Sequence, residues 1–181
     1  MKHVLIILLM FGAVNMSWAQ DPEELKEATV EYIRTDMKMD PYTQSVALTI
    51  PEDRYGEFKS APLTFIKNRF SPYQLVSENK DQNFDSYEVY FNIKNGYVVA
   101  KYDEEGDLLS TFQRFNDIQL PEKAKEQIMK KMGKDTQILG AKMTAVSDGW
   151  DISKEIYRVD VKANGRIQKV KLVKKGNNYS M

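Results

Sequence analysis

The sequence predicts an α+β fold in which tandem helix-plus-antiparallel-meander repeats pack their helices on one face of the sheet, and three observations predict it. The densest β signal is residues 87–115, YEVYFNIKNGYVVAKYDEEGDLLSTFQRF, which reads as a three-stranded antiparallel meander. A second hairpin, with Tyr157, Val159 and Val161 on one face, turns at Asn164-Gly165. Apolar residues at helical spacing precede each of these blocks, giving the order helix, strand, hairpin twice over.

The N-terminus reads as a targeting segment. Lys2 and His3 precede the apolar run VLIILLMFGAV over residues 4–14, and Ser17 and Ala19 supply the small residues that signal peptidase requires. Residues 1–19 are therefore expected to be a signal peptide, with Gln20 the first mature residue. The 11-residue apolar run is shorter than the roughly 20 residues a spanning helix needs. With no cysteine in the chain, lipid attachment at a thiol is excluded and the fold cannot use disulfides.

Removing 19 residues leaves 162 of 181, with 25 basic side chains against 26 acidic ones because only Lys2 is lost. Such balance carries no electrostatic argument for nucleic acid. The only histidine, His3, leaves with the signal peptide. A mature chain without His or Cys has no Ser-His-Asp or Cys-His machinery and no imidazole or thiolate zinc site. Carboxylates, Lys, Tyr, Ser and Thr are what remain for chemistry.

Residues 20–43 are expected to be a helical extension. Asp21 is placed as N-cap, Pro22 at the first helical position and Glu24 three residues after the cap, with Leu25, Ala28, Tyr32 and Ile33 as the packed stripe. The first repeat spans 44–115. It opens on a strand over 44–50 (Val46, Leu48, Ile50) and a polar connection over 51–59 with a hinge at Gly56. A helix follows from Ser60-Ala61-Pro62 with Leu63, Ile66 and Phe70 on one face, and Ser71-Pro72 stops it. A short strand is expected over 73–76 and a loop over 77–86. In the meander, Tyr87, Val89, Phe91 and Ile93 share one face and Glu88, Tyr90, Asn92 and Lys94 the other. Asn95-Gly96 is expected to supply the positive φ angles of the hairpin turn.

The second repeat spans 116–176. The run PEKAKEQIMKKM is expected to be a helix with Ala124, Ile128 and Met132 inward and Gly133 closing it. Strands follow over 137–146, 156–163 and 166–173, and residues 177–181 form a polar, frayed tail. The predicted core is Ile66, Phe70, Val89, Phe91, Ala124, Ile128, Met132, Val159 and Val161.

The run GYVVAKYDEEGDLLSTFQRFNDIQLPEKAKEQIMKKM, with its Tyr-Asp-x-x-Gly turn, aromatic third strand and Leu-Pro helix start, resembles the PepSY-like, β-lactamase-inhibitor-protein-like secreted proteins of Gram-negative bacteria. The likeness covers about residues 44–175 and lies in the order of elements; none of its motifs is catalytic. It implies helices on one face of an antiparallel sheet in tandem repeats, and its name and relatives imply binding and inhibition of peptidases. The helix from Asp21 has no counterpart in it.

Several clusters invite chemistry and have plainer readings. Asp103, Glu104, Glu105 and Asp107 crowd one turn, yet their spacing fails the calcium-loop pattern, and a solvated hairpin turn is the better reading. Trp150, the one Trp outside the signal segment, is assigned to core packing against the third helix rather than to an exposed anchor. Lys162, Arg166, Lys169, Lys171, Lys174 and Lys175 make the last hairpin basic, and protection of an edge strand outweighs an anionic partner as their reading. Among the tyrosines, only Tyr90 and Tyr97 are predicted on the face away from the helices, and they are the candidate binding residues.

No phosphate loop, dinucleotide turn or metal set is present in the sequence, and no catalytic residue or cofactor is assigned. The function expected is an exported, non-enzymatic binding module, periplasmic or extracellular, for another extracytoplasmic protein or peptide. It would use no nucleic acid and have no membrane span after cleavage. A carboxylate-based hydrolase and a structural envelope component are the alternatives.

Overall fold

The computed structural model describes Met39, Asp40 and residues 42–181. The expected signal peptide and nearly all of the helical extension lie outside these residues. Among the described residues, eight strands form one mixed sheet whose spatial order, β1 to β8, follows the chain. Four helices complete an α+β architecture.

Strand β1 (Ser45–Thr49) pairs with β2 (Ser86–Ile93), but in parallel, which corrects the expectation of a purely antiparallel sheet. A parallel pair cannot be joined by a hairpin and needs a crossover of a dozen or more residues. Here the crossover is a 3-10 turn at Glu52–Arg54 followed by α1 (Tyr55–Ser60), α2 (Pro62–Arg69) and α3 (Pro72–Glu78).

Two segments of that crossover differ from the sequence reading. The polar connection with its hinge at Gly56 is helical, because Phe58 is drawn wholly out of solvent. Its ring makes edge contacts with Phe65 at 5.3 Å and Phe115 at 5.9 Å between centroids. The expected strand over 73–76 is α3. Pro72 occupies the first helical position, where a missing N–H costs nothing, and its restriction falls on Ser71, which is extended. Burial of Leu75 then fixes the helix face that is packed.

Strands β2, β3 (Gly96–Asp103) and β4 (Leu108–Asn116) form the expected meander. Tyr87, Val89, Phe91 and Ile93 are its buried face. Its first turn departs from expectation: neither Asn95 nor Gly96 has a positive φ. Glycine is required at Gly96 by crowding, since a Cβ there would stand 2.5 Å from both the Arg114 carbonyl oxygen and the Phe115 ring. At the second hairpin Asn164 (φ 50°) and Gly165 (φ 73°) do adopt the left-handed conformation.

Helix α4 (Glu122–Met132) leads to β5 (Gln137–Asp148), β6 (Asp151–Ala163) and β7 (Arg166–Lys175). The tail expected to fray adds a further strand, β8 (Asn178–Ser180), on β7, with the Tyr179 ring 5.7 Å from that of Tyr157. Aromatic burial outweighs the polarity of the flanking residues.

Apolar side chains gather in two clusters. The first joins Phe58, Phe65, Ile66, Phe70 and Leu75 to alternate residues of β1, β2 and β3 and to Phe115 of β4. The second joins Ala124 and Ile128 of α4 to Tyr157, Val159, Val161, Val170 and Leu172. Every residue of the predicted core is buried except Met132, which is half-buried against the second cluster. Beside Ala145, strands β4 and β5 also bury polar side chains: the Thr111 and Ser147 hydroxyls lie 2.7 Å apart, and Gln113 Nε2 donates to Thr111 Oγ1.

Candidate functional site

Strand alternation sends the residues between the buried ones to the opposite face, and the register decides which of them meet. Tyr90 on β2 stands across from Val99 on β3, Val99 across from Phe112 on β4, and Phe112 across from Val146 on β5. Four strands thus carry one apolar row. Tyr97 lies in the next row between Asn92 and Arg114, and its ring centroid is 6.1 Å from that of Phe112. The two sequence-predicted residues are therefore on adjacent strands of one face, joined through Val99 and Phe112.

Tyr90 and Tyr97 are half-buried rather than fully exposed, because neighbouring side chains on a flat sheet shield one another. The Tyr90 hydroxyl donates to Glu88 Oε2 at 3.2 Å. Desolvation, then the Glu88 carboxylate, pushes its pKa above the usual phenol value, so it remains a neutral donor. Phe112 (40 % exposed) and Val146 (39 %) are the more open members of the row. Sequence reading missed both. The available signal was parity, since Phe112 alternates with Thr111 and Gln113, whose polarity masks the fact that they are the buried side of β4.

Farther along the same face the side chains become cationic. Lys142 on β5, Arg158 on β6 and Lys171 on β7 share a single row. With Lys169 and Asp160 they line a shallow depression of about 340 Å³. A second groove of about 510 Å³, between α3 and the β2 and β3 strand ends, is lined by Tyr73, Val76, Phe84, Tyr87, Glu104 and Glu105.

Other candidates resolve locally. Asp103 Oδ1 accepts backbone N–H groups of Glu105 and Asp107 at 3.1 and 2.7 Å, and Gly106 takes φ 91°, as a structural turn requires. Among the described residues no group of three or more acidic, His or Cys side chains converges as a metal site. Trp150 is not in the core. It occupies the β5–β6 turn at 40 % exposure with Lys67 Nζ 5.6 Å from its ring centroid, a cation–π distance. The recorded neighbour of the indole is thus Lys67 of α2, and Trp150 belongs to neither apolar cluster.

The basic last hairpin divides into separate roles. Lys174 Nζ is 2.8 Å from Glu155 Oε2, while Lys169 and Lys171 face the depression. Strand β8 covers β7 at Val173, Lys174 and Lys175, so edge protection does not account for the last two lysines.

Among the described residues no helix is long and apolar enough to cross a membrane. Comparison with protein-family models, curated proteins and solved structures finds no match.

Proposed function

We propose that this protein is an exported, non-enzymatic binding module that captures an extracytoplasmic protein or peptide on the sheet face bearing Tyr90 and Tyr97. The observation that carries the proposal is the in-register row Tyr90–Val99–Phe112–Val146, an apolar strip with two members about 40 % exposed, set opposite the side chains that build both clusters. Contiguous exposed apolar surface rimmed by polar residues is what protein-recognition sites present. Half-buried tyrosines hold their rings at little entropic cost and keep a hydroxyl for a partner.

The same reading treats the chain as two tandem PepSY-like units, 44–115 and 116–176. In its favour, helices precede each meander and each helical segment contributes to its own cluster. An inhibitor-like role against a peptidase is the specific form that the resemblance suggests. Export rests on the N-terminal pattern, and the mass of the mature protein tests it: the predicted chain begins at Gln20.

The deciding experiment is a pull-down from envelope extract with the mature protein and with Tyr90→Ala/Tyr97→Ala. The expected result is a partner retained by the parent and reduced at least tenfold by the double variant, whose circular dichroism is unchanged because both clusters are untouched. Equal recovery refutes this face as the binding surface. Turnover of a peptide or saccharide by the purified protein would instead select the hydrolase.

A further inference from the structure

The cationic row on the same face has a more specific meaning, which rests on the binding-module reading. Lys142 is directly across from Arg158, and Arg158 directly across from Lys171. With strands about 4.8 Å apart, three like charges line up over about 10 Å, an arrangement that destabilises a sheet. None of the three is ion-paired with another described residue. Asp160, the one carboxylate lining the depression, stands across from Lys169 and is not within ion-pair distance of it.

Edge protection explains a lysine on β7, but β5 and β6 are paired on both sides. A merely solvated face would intersperse the two signs. Beside the row the sheet also leaves room: Gly140, across from Asp160, has no atom within 4 Å of where its Cβ would stand.

Toward the aromatic row the chemistry changes in two steps. The adjacent row holds Arg114, Thr144, Ile156 and Val173, and the next holds Phe112, Val146 and Lys154. Rows on one face are about 7 Å apart, so apolar side chains, with the exposed cations Arg114 and Lys154 among them, lie within about 14 Å of the cationic row, close to the width of one helix.

We propose that this part of the face docks a partner-protein segment that carries acidic residues beside apolar ones. Its carboxylates meet Lys142, Arg158 and Lys171, and its apolar side chains cover Ile156, Val146 and Phe112. A polyanion without apolar groups would leave that adjoining surface wet, so charge and hydropathy together select an acidic amphipathic peptide over a nucleic acid or an anionic glycan.

The test is selection of binders from a displayed library of random 16-residue peptides on the purified protein, followed by affinity measurement. Three variants are compared with the parent: Lys142→Gln/Arg158→Gln/Lys171→Gln, Tyr90→Ala/Tyr97→Ala, and Phe112→Ala. The proposal expects selected peptides to combine at least two acids with apolar residues, to lose at least tenfold in affinity on the triple variant, and to weaken between 50 and 500 mM salt. Selected peptides without acids, or equal binding by the triple variant, overturn it. If such peptides still depend on the tyrosines, only this inference fails; if they depend on neither set, the binding-face reading fails too. In a parallel arm, co-sedimentation with phosphatidylglycerol vesicles that is lost in the triple variant, without any acidic peptide selected, assigns the row to a lipid surface and overturns the peptide. Circular dichroism of each variant establishes that it is folded.

Discussion

Arg158 on β6 faces Lys171 on β7 in direct register, with Lys142 on its other flank, so an interior strand carries a cation between two cations. Arg158→Gln removes both repulsions while leaving the aliphatic cover of the sheet. Cross-strand charge pairs are worth about 0.2–1 kcal/mol each, and the melting temperature of the variant should rise at low ionic strength. The gain should fade toward 1 M salt, where the screening length falls to about 3 Å. Thermal melts at two salt concentrations check this, and a lower melting temperature at low salt would contradict it.

Phe58 organises the crossover, touching Phe65, Phe91 and Phe115 from a position that the sequence alone presents as a polar linker. It is fully buried. Phe58→Ala should cost about 3–5 kcal/mol by leaving a cavity beneath α1. Urea denaturation measures it, and a loss below 1 kcal/mol would show that the segment is not anchored there.

Tyr102 is buried with no hydrogen-bond partner for its hydroxyl among the described residues. Burial raises its pKa above the ordinary 10.0. The folded state then holds its proton more tightly than the unfolded one, so stability is complete below about pH 10 and falls as pH rises above it. Tyr102→Phe should stabilise the protein by about 1 kcal/mol at neutral pH and flatten the alkaline decline. Melting temperatures from pH 7 to 11 test both effects.

Glu155 joins Tyr157 of the second cluster to a lysine outside it: it accepts from the Tyr157 hydroxyl and pairs with Lys174. The hydrogen bond from Lys174 to Glu155 holds the lysine pKa up, against the opposing effect of burial. A raised lysine pKa gives stability that is present below the unfolded value, about 10.4, and lost as pH climbs through the folded one. Glu155→Gln should be less stable than the parent at pH 8, and the gap should narrow toward pH 11. Urea midpoints across that range decide the matter, and a gap independent of pH would exclude the linkage.

Part of the candidate site was legible in the chain. Period-2 alternation in β2 placed Tyr90 opposite Val89 and Phe91, and the adjoining hairpin carried Tyr97 to the same face. Phe112, Val146 and the Lys142–Arg158–Lys171 row were not legible, because they come together only through the β4–β5, β5–β6 and β6–β7 registers. The β5–β6 register contains two irregularities, at Ile138/Gly140 and Val146/Ser147. Each shifts which side chains are neighbours, and a one-residue slip exchanges the faces. Trp150 was also misassigned: large apolar area argues for burial, but the residue sits in the β5–β6 turn, outside both clusters, with Lys67 over its ring.

What the sequence by itself determined is whatever depends on near neighbours in the chain. The meander, the Pro62 and α4 helix starts, the Asn164-Gly165 turn and eight of nine predicted core residues follow from alternation, helical spacing and turn stereochemistry, all of which act within a few residues. Tertiary structure decided the parallel pairing of β1 with β2, the helical state of the Phe58 and Leu75 segments, and the docking of Tyr179 through β8. Each of these exchanges a weak local preference for burial against residues distant in the chain. The gain from removing an aromatic ring or leucine from water, about 1.5–3 kcal/mol, exceeds the propensity differences of up to about 0.7 kcal/mol per residue that distinguish ordinary residues in a helix, so distant contacts prevail where local signals are short.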